Sequence, residues 1–247
     1  ILTVPSSASA ASSSKKIRGW SVGAALGAET LVQSRPIVRG DDVDPLDDFL
    51  RAKAACTVGL FVTGAESDPP PHEGPRTARF RRWIAALVAP GLSDASRGSI
   101  TEALPPYLAR DAPGKPDVHL LLLNALGTMF GMGGFRPTFV DPESVRNALV
   151  QLAPLLPESA EPRAFFLSDG RTLGVAHFGG CLLTVQPPRD LWPRARLSPD
   201  GVRPSVPASL LVWSPEIPAT PVGAAERIAD GIFTVQTRDP GPIARAD

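Results

Sequence analysis

The first 90 residues alternate between short apolar runs and polar, glycine-rich or proline-rich stretches. Apolar runs bounded in this way are typical of buried strands. An acidic stretch followed by helical spacing interrupts them and predicts one early helix. The pattern predicts strands at residues 1–4, 17–26, 30–34, 57–63 and 82–88, a hairpin turn at 27–29, a helix at 45–55 and a polar loop at 66–81.

The middle of the chain has the spacing of helices. Residues 99–109 predict a helix that two consecutive prolines interrupt, and the strongly apolar residues 118–129 predict a core helix that ends at a glycine-rich run. Residues 141–153 predict the clearest helix, because Asp141 can cap it and Pro142 suits its first position.

The last third returns to strands. Residues 163–185 predict three strands joined by two-residue hairpin turns at 169–170 and 179–180, where glycine can adopt positive φ angles. Residues 209–213 and 228–237 predict two more strands. Strands, then helices, then strands, with no repeating βαβ unit, indicate the α+β class with antiparallel sheets.

The composition indicates one globular domain over residues 1–247, with 43% hydrophobic residues to form a core. Lysine plus arginine and aspartate plus glutamate both number 25, which argues against nucleic acid or an anionic membrane as a partner. The 28 prolines favour loops over long helices. Within the domain, residues 5–16 are expected to form a flexible loop, 187–207 a proline-rich insertion and 240–247 a tail.

The cysteines and histidines of the chain do not have the spacing that is diagnostic of metal sites or disulfides. Cys56 and Cys181 are interpreted as free thiols in preference to a disulfide. His72, His119 and His177 lack the spacing of a metal site and are interpreted as a loop, a helix-start and a strand residue. No phosphate-binding loop is present either, so no cofactor and no metal are expected.

The sequence contains no apolar stretch near the ~18 residues of a membrane span. Its start has neither the basic region nor the apolar core of a signal peptide, so a cytoplasmic location is expected. The chain begins with Ile1 instead of methionine, which raises the question of what precedes it.

Residues 79–82 contain three arginines next to Phe80 and Trp83. Such a cluster could contact nucleic acid, but the neutrality of the chain favours a solvated strand entry or a contact with a protein.

Short segments along nearly the whole chain follow one family pattern in order. They are residues 19–23 (GWSVG), 33–36 (QSRP) with 48–49 (DF), 60–65 (LFVTGA), 72 (H), 82–84 (RWI), 165–184, 209–214 and 227–235. Together they resemble class II glutamine amidotransferase domains. The resemblance implies the N-terminal-nucleophile hydrolase fold, a four-layer αββα sandwich of two antiparallel sheets flanked by helices.

The resemblance also locates the family's catalytic positions, and most of them are substituted. The family uses an N-terminal cysteine as nucleophile. Phe61 stands at the position of a histidine, and Thr63 at the arginine that binds the glutamine carboxylate. Val88 stands at the asparagine that donates to the oxyanion. Only His72 and Asp117 keep the family's residue type in their motifs.

These substitutions predict a catalytically inactive relative that acts as a binding or structural subunit of a protein assembly. We therefore expect no catalytic residue, and a protein partner or homo-oligomer, with a small-molecule ligand possible in the former cleft. The alternative is an active amidotransferase or amidohydrolase whose nucleophilic cysteine precedes Ile1. A third hypothesis is a purely structural subunit without a ligand.

Overall fold

The computed structural model describes residues 2–3, 17–26, 29–36, 58–65, 77–89, 91–131, 140–156, 162–185, 210–214 and 225–236. These residues form an α+β structure, as the sequence predicted. The strands are β1 Leu2–Thr3, β2 Ile17–Leu26, β3 Glu29–Pro36, β4 Val58–Ala65, β5 Thr77–Phe80, β6 Trp83–Val88, β7 Arg163–Ser168, β8 Thr172–Phe178, β9 Cys181–Val185, β10 Leu210–Ser214, β11 Ala225–Ile228 and β12 Gly231–Gln236. The helices are α1 Asp94–Ala103, α2 Pro106–Ala109, α3 Asp117–Phe130 and α4 Pro142–Leu152.

Five strands form an antiparallel sheet in the order β12-β8-β7-β6-β5. Both faces of this sheet are buried, because apolar residues occupy consecutive positions along its central strands. On β6, Trp83 and Ala85 pack in the cluster that contains the helices, whereas Ile84 and Ala86 pack in a second cluster on the other face. The sheet is therefore an inner layer of the molecule.

The helices cover one face of this sheet. Helix α3 packs on β5 and β6, α4 packs on β8 and β12, and α1 packs on α3. Four consecutive buried leucines at 120–123 show that α3 is enclosed on most sides. Helix α4 begins as predicted: Asp141 accepts a hydrogen bond from the Ser144 amide at 2.9 Å, and Pro142 holds the first position.

The remaining strands pair in the order β11-β9-β10-β1-β4-β2-β3. Strand β2 pairs antiparallel with β3 and β4, which confirms the hairpin predicted after residue 26. Strand β1 instead pairs parallel with both β10 and β4, so the pairing here departs from the purely antiparallel arrangement that was expected.

The face of the five-stranded sheet that does not contact the helices lies against this second set of strands. Val32 of β3 packs on the second apolar cluster. Thr30 connects the two sets by hydrogen bonds, since its hydroxyl donates to the Arg81 carbonyl at 2.6 Å and its carbonyl accepts from the Arg79 guanidinium at 2.6 Å. These contacts fix the β5–β6 hairpin turn against β3.

Two predicted elements are wrong in their extent. The polar loop expected at residues 66–81 contains β5, whose four residues are too few to show strand periodicity. The interrupted helix expected at residues 99–109 is two helices, and the first begins earlier because Ser93 accepts the Ser96 amide at 3.1 Å. The break falls at Leu104, which is extended ahead of Pro105.

Two further predictions are wrong in their pairing. The turn at residues 179–180 is not a hairpin, because β8 belongs to the five-stranded sheet and β9 pairs with β10 and β11. The strand expected at residues 228–237 corresponds to β12, whereas its first residue, Ile228, ends a separate strand, β11, in the other sheet. The chain thus crosses between the two sets of strands after β8 and again after β11, in addition to the crossing between β4 and β5.

Several predictions concern residues outside the described parts of the chain: the helix at 45–55, the loop at 5–16, the insertion at 187–207 and the tail at 240–247. In the described residues, no helix combines the length and the apolar character that a membrane span requires.

Candidate functional site

Val88 lies at the end of β6, in a row of paired residues that crosses the five-stranded sheet. Val88 pairs with Ala164, Ala164 with His177, and His177 with Gly231. Directly paired residues point their side chains to the same face, and Val88 packs on the second apolar cluster, which faces β3. The side chains of this row therefore face the space toward the second set of strands.

Phe61 and Thr63 lie on β4 in that second set. Phe61 pairs with Leu2 of β1 and with Val22 of β2, and Thr63 pairs with Trp20. Strand β4 contacts β6, so the strand that carries these two positions lies beside the strand that carries Val88. His72 lies outside the described residues.

Asp117 is the first residue of α3 and belongs to the helix layer instead of this space. Its carboxylate accepts the Leu92 amide at 2.9 Å and forms an ion pair with Arg97. The Arg97 guanidinium also donates to the Lys115 carbonyl at 2.9 Å. The structure therefore does not bring Asp117 together with Val88, and it gives the carboxylate a role in joining α1, α3 and the segment after β6.

His177 is fully buried, and its ring lies between two groups that follow β11. One ring nitrogen, Nε2, is 2.9 Å from the Ala229 carbonyl oxygen. A carbonyl can only accept, so Nε2 carries the proton. The other nitrogen, Nδ1, is 3.6 Å from Asp230 Oδ1. The second Asp230 oxygen accepts the Gly179 amide at 2.8 Å.

These contacts join two of the crossings between the sets of strands, the one after β8 and the one after β11. Gly179, at φ +70°, follows β8, and Asp230 precedes β12. Phe233 packs its ring edge against the His177 ring, with centroids 6.1 Å apart. We call His177, Gly179, Ala229 and Asp230 the crossing cluster.

The sequence does not predict the crossing cluster. Its pattern indicates an ordinary strand residue for His177 and one continuous strand around Asp230. One local signal was present, because Asp230 and Gly231 form an Asp-Gly pair, which is typical of turns. No local signal could show that the segment after β11 contacts His177, since 52 residues separate the ring from its carbonyl partner.

His119 and Tyr107, both in the helix layer, have shifted pKa values. Burial lowers the pKa of His119, Lys115 lowers it further and Asp111 opposes the shift, so the ring is stabilised in its neutral form. Burial raises the pKa of Tyr107, and the positive charge of Arg81 opposes that shift.

The described residues contain no cluster of histidine, cysteine, aspartate or glutamate suited to a metal ion. A shallow groove of about 330 Å³ lies between α1 and the turn before α3, lined by Thr101, Glu102, Pro113 and Leu120 among others. This groove is on the helix layer and does not include the row that begins at Val88.

No protein-family model matches the sequence, and no curated protein sequence matches it. The fold is similar to a solved glutamine aminotransferase class-II domain protein from Silicibacter pomeroyi, at 15% identity and a TM-score of 0.47, over 88% of this chain and 87% of that one. It is also similar to a predicted glutamine amidotransferase from Pseudomonas aeruginosa, at 13% identity and a TM-score of 0.47, over 89% of this chain and 85% of the other.

The names of these two proteins agree with the resemblance drawn from the sequence motifs. At these TM-scores and identities, neither similarity assigns an activity, a ligand or a residue role to this chain.

Proposed function

We propose that this chain is a single glutamine amidotransferase-like domain without glutaminase activity, and that it acts as a binding or structural subunit of a protein assembly. The observation that carries the proposal is the environment of Val88. By the motif resemblance, this position belongs to an asparagine that donates to the oxyanion. Here it holds an apolar side chain packed on Ile84, Ala86 and their neighbours.

An acyl-transfer site needs preorganised donors where negative charge develops, and losing one such donor typically costs ~10²–10³ in kcat. In the row that begins at Val88, Ala164 and Gly231 have no polar side-chain atom and therefore provide no such donor. His177 is the polar side chain in that row, and its Nε2 proton is used by the Ala229 carbonyl. This geometry supports a packed or ligand-binding space more than a catalytic one.

The position of Asp117 supports the same proposal. Its carboxylate is occupied by Arg97 and by the Leu92 amide. A carboxylate engaged in this way stabilises the fold. With Thr63 in place of an arginine, the motif positions also lack the cation that a glutamine carboxylate requires.

The four-layer αββα sandwich belongs to this proposal. The burial of both faces of the five-stranded sheet supports it, with helices on one side and Val32 of β3 on the other.

The test is release of ammonia from L-glutamine by the protein isolated from its source cell, so that any residues before Ile1 are included. We expect no release above the buffer blank, while an active class II amidotransferase in the same assay releases ammonia. An electrophilic glutamine analogue should leave the intact mass unchanged. Saturable ammonia release, or a covalent adduct on a cysteine ahead of Ile1, would instead establish the active amidotransferase.

A second measurement tests the role in an assembly. Size-exclusion chromatography with light scattering on the same native material should show a mass above that of one chain, as measured by denaturing mass spectrometry of that material. A strictly monomeric protein that co-purifies with nothing would contradict the assembly role, whatever the outcome of the ammonia assay.

A further inference from the structure

The ring of His119 has one nitrogen enclosed in the helix layer. His119 is the third residue of α3 and is half-buried. Its Nε2 atom is buried, and none of the described residues forms a hydrogen bond with it. A buried polar atom without a partner loses its hydrogen bonds to water, which costs free energy. The cost is higher for a positively charged ring, so this position suits a neutral imidazole.

The same ring forms part of the contact between α3 and β5. It meets the ring of Phe80 in a T-shaped arrangement, with centroids 6.4 Å apart and an interplanar angle of 79°. Phe80 ends β5 and packs on the apolar cluster that contains the helices. A phenylalanine side chain has no acceptor atom, so Phe80 offers no hydrogen bond to a proton on the buried nitrogen.

The charges near His119 act mostly against its protonation. The ring lies in the first turn of α3, where the positive end of the helix dipole disfavours a cation. Burial lowers the pKa of the ring, Lys115 lowers it further, and Asp111 opposes the shift. Asp111 is exposed, so solvent screens its attraction for a protonated ring.

The helices and strands packed on α3 change this balance little. On α1, Arg97 forms an ion pair with Asp117, the first residue of α3, so their charges largely cancel. Strand β6 consists of apolar residues. The remaining charged residues of α1 and α4 are exposed to solvent, namely Asp94, Glu102, Glu143 and Arg146.

The β5–β6 turn and α2 do not favour a protonated ring either. The guanidinium carbon of Arg81 lies 5.9 Å from the centre of the Phe80 ring and adds positive charge on that side. Tyr107 of α2 is uncharged near neutral pH, since burial raises its pKa above the ordinary value of 10.0. The surroundings of His119 therefore stabilise its neutral form.

We propose that His119 makes the contact between α3 and β5 sensitive to acid: the neutral ring holds the start of α3 against Phe80, and the protonated ring leaves its enclosed position. The β5–β6 turn stays in place, because Thr30 forms hydrogen bonds with the residues on both sides of Phe80. Acid therefore opens the start of α3 and uncovers Phe80. This device is independent of the proposed function, since it uses none of the residues in the row that begins at Val88.

The direction of the pH effect follows from the lowered pKa of the ring. Because the folded-state pKa lies below the ordinary 6.5, the ring binds its proton more readily once the contact is open. The open form is therefore favoured as the pH falls below 6.5, and its gain stops below the folded-state pKa. Each unit by which the pKa is lowered allows a rise in opening of at most about tenfold.

The test combines two measurements on the full chain from about pH 8 to about pH 5. NMR of the histidine rings gives the pKa of His119, whose signal is identified by its absence from His119→Gln. Amide hydrogen exchange, expressed as protection factors, reports opening at residues 77–83 and 117–123. We expect protection there to fall with pH by the factor that the measured pKa sets, while protection of residues 145–152 in α4 stays constant. His119→Gln does not titrate and should lose this pH dependence.

Two exposed charges supply matched variants that leave the ring intact. Lys115→Gln should raise the pKa of His119 and lessen the opening in acid, because a charge that opposes protonation is gone. Asp111→Asn should lower the pKa further and increase the opening. The proposal is overturned by a ring pKa at or above 6.5, by an undiminished pH dependence in His119→Gln, or by two charge variants that shift the opening in the same direction. An equal loss of protection in α4 would also overturn it, because that result shows general acid unfolding.

Discussion

Asp117 shows how a residue can match a family motif while its side chain performs a structural task. Its side chain is 10% exposed, and it joins the Leu92 amide to the Arg97 guanidinium. Removing one partner of a mostly buried ion pair leaves the other charge without compensation, which is costly. The contacts of Asp117 are therefore those of a residue that stabilises the fold.

We expect Asp117→Asn to lower the free energy of unfolding by about 1–3 kcal/mol at neutral pH. Asparagine can still accept the Leu92 amide but cannot neutralise Arg97. Urea unfolding followed by circular dichroism measures the change. Asp94→Asn, which removes an exposed carboxylate in the first turn of α1, is the matched control and should cost less than about 0.5 kcal/mol. Equal costs for the two variants would contradict the structural role of Asp117.

Helix α4 shows which elements the sequence predicts well. Asp141, Pro142 and the apolar face of residues 145, 149 and 152 are local signals, and they gave this helix nearly its observed bounds. Ser144 donates to both Asp141 oxygens, through its amide at 2.9 Å and its hydroxyl at 2.6 Å. These bonds lower the pKa of Asp141 below its ordinary value, because they stabilise the charged carboxylate.

Asp141→Ala should lower stability by about 1 kcal/mol at pH 7, since it removes the cap of α4. The folded-state pKa is depressed, so the contribution of the charge is present above the ordinary pKa near 4 and is lost as the pH falls through the folded value. The difference between Asp141→Ala and the wild type should therefore narrow at acid pH. Thermal unfolding from pH 7 to the lowest pH at which the protein folds measures it.

Asp141→Asn is the control for this cap. Asparagine retains an acceptor for the Ser144 amide and does not titrate, so it should keep most of the stability and flatten the acid dependence. If the stability difference between Asp141→Ala and the wild type widened toward low pH, this account would be contradicted.

The packing of α4 on β8 depends on a close approach at Gly174. A Cβ at this position would lie 2.7 Å from Leu149 Cδ1 and 2.7 Å from Val145 Cγ1. Gly174→Ala should therefore cost about 1–3 kcal/mol through overpacking, measured by urea unfolding. Gly174→Ala combined with Leu149→Ala should be less destabilised than the sum of the single variants, because the second change opens space. If the losses of stability of the two single variants simply added in the double variant, helix α4 would instead move to relieve the contact.

At the scale of the molecule, the sequence predicted the class and most elements but not how strands divide between the two sheets. Strand periodicity reports burial on each face and does not identify the neighbouring strand. Residues 172–185 have the pattern of a hairpin and residues 228–237 the pattern of one strand, yet the chain changes sheets within each run. The candidate positions Phe61, Thr63 and Val88 came from motif resemblance, whereas the crossing cluster depends on contacts between distant segments.

The crossing cluster leads to a prediction for the whole fold. Asp230 accepts the Gly179 amide and lies beside His177, so one half-exposed side chain ties the segment after β8 to the segment before β12. Asp230→Ala removes both contacts and should lower stability by about 1–2 kcal/mol. Because the two crossings share these contacts, amide hydrogen exchange should quicken at both, around residues 177–181 and 228–232, by a similar factor.

Asp230→Asn is the matched variant for this experiment, since its side-chain oxygen can still accept the Gly179 amide while its negative charge beside His177 is gone. If the hydrogen bond joins the crossings, Asp230→Asn should exchange nearly as slowly as the wild type. If the charge near His177 is what matters, it should exchange as fast as Asp230→Ala. Faster exchange confined to residues 228–232 in both variants would show that the crossings open independently, and that the two sets of strands are joined mainly by the apolar contacts of Val32 and by the hydrogen bonds of Thr30.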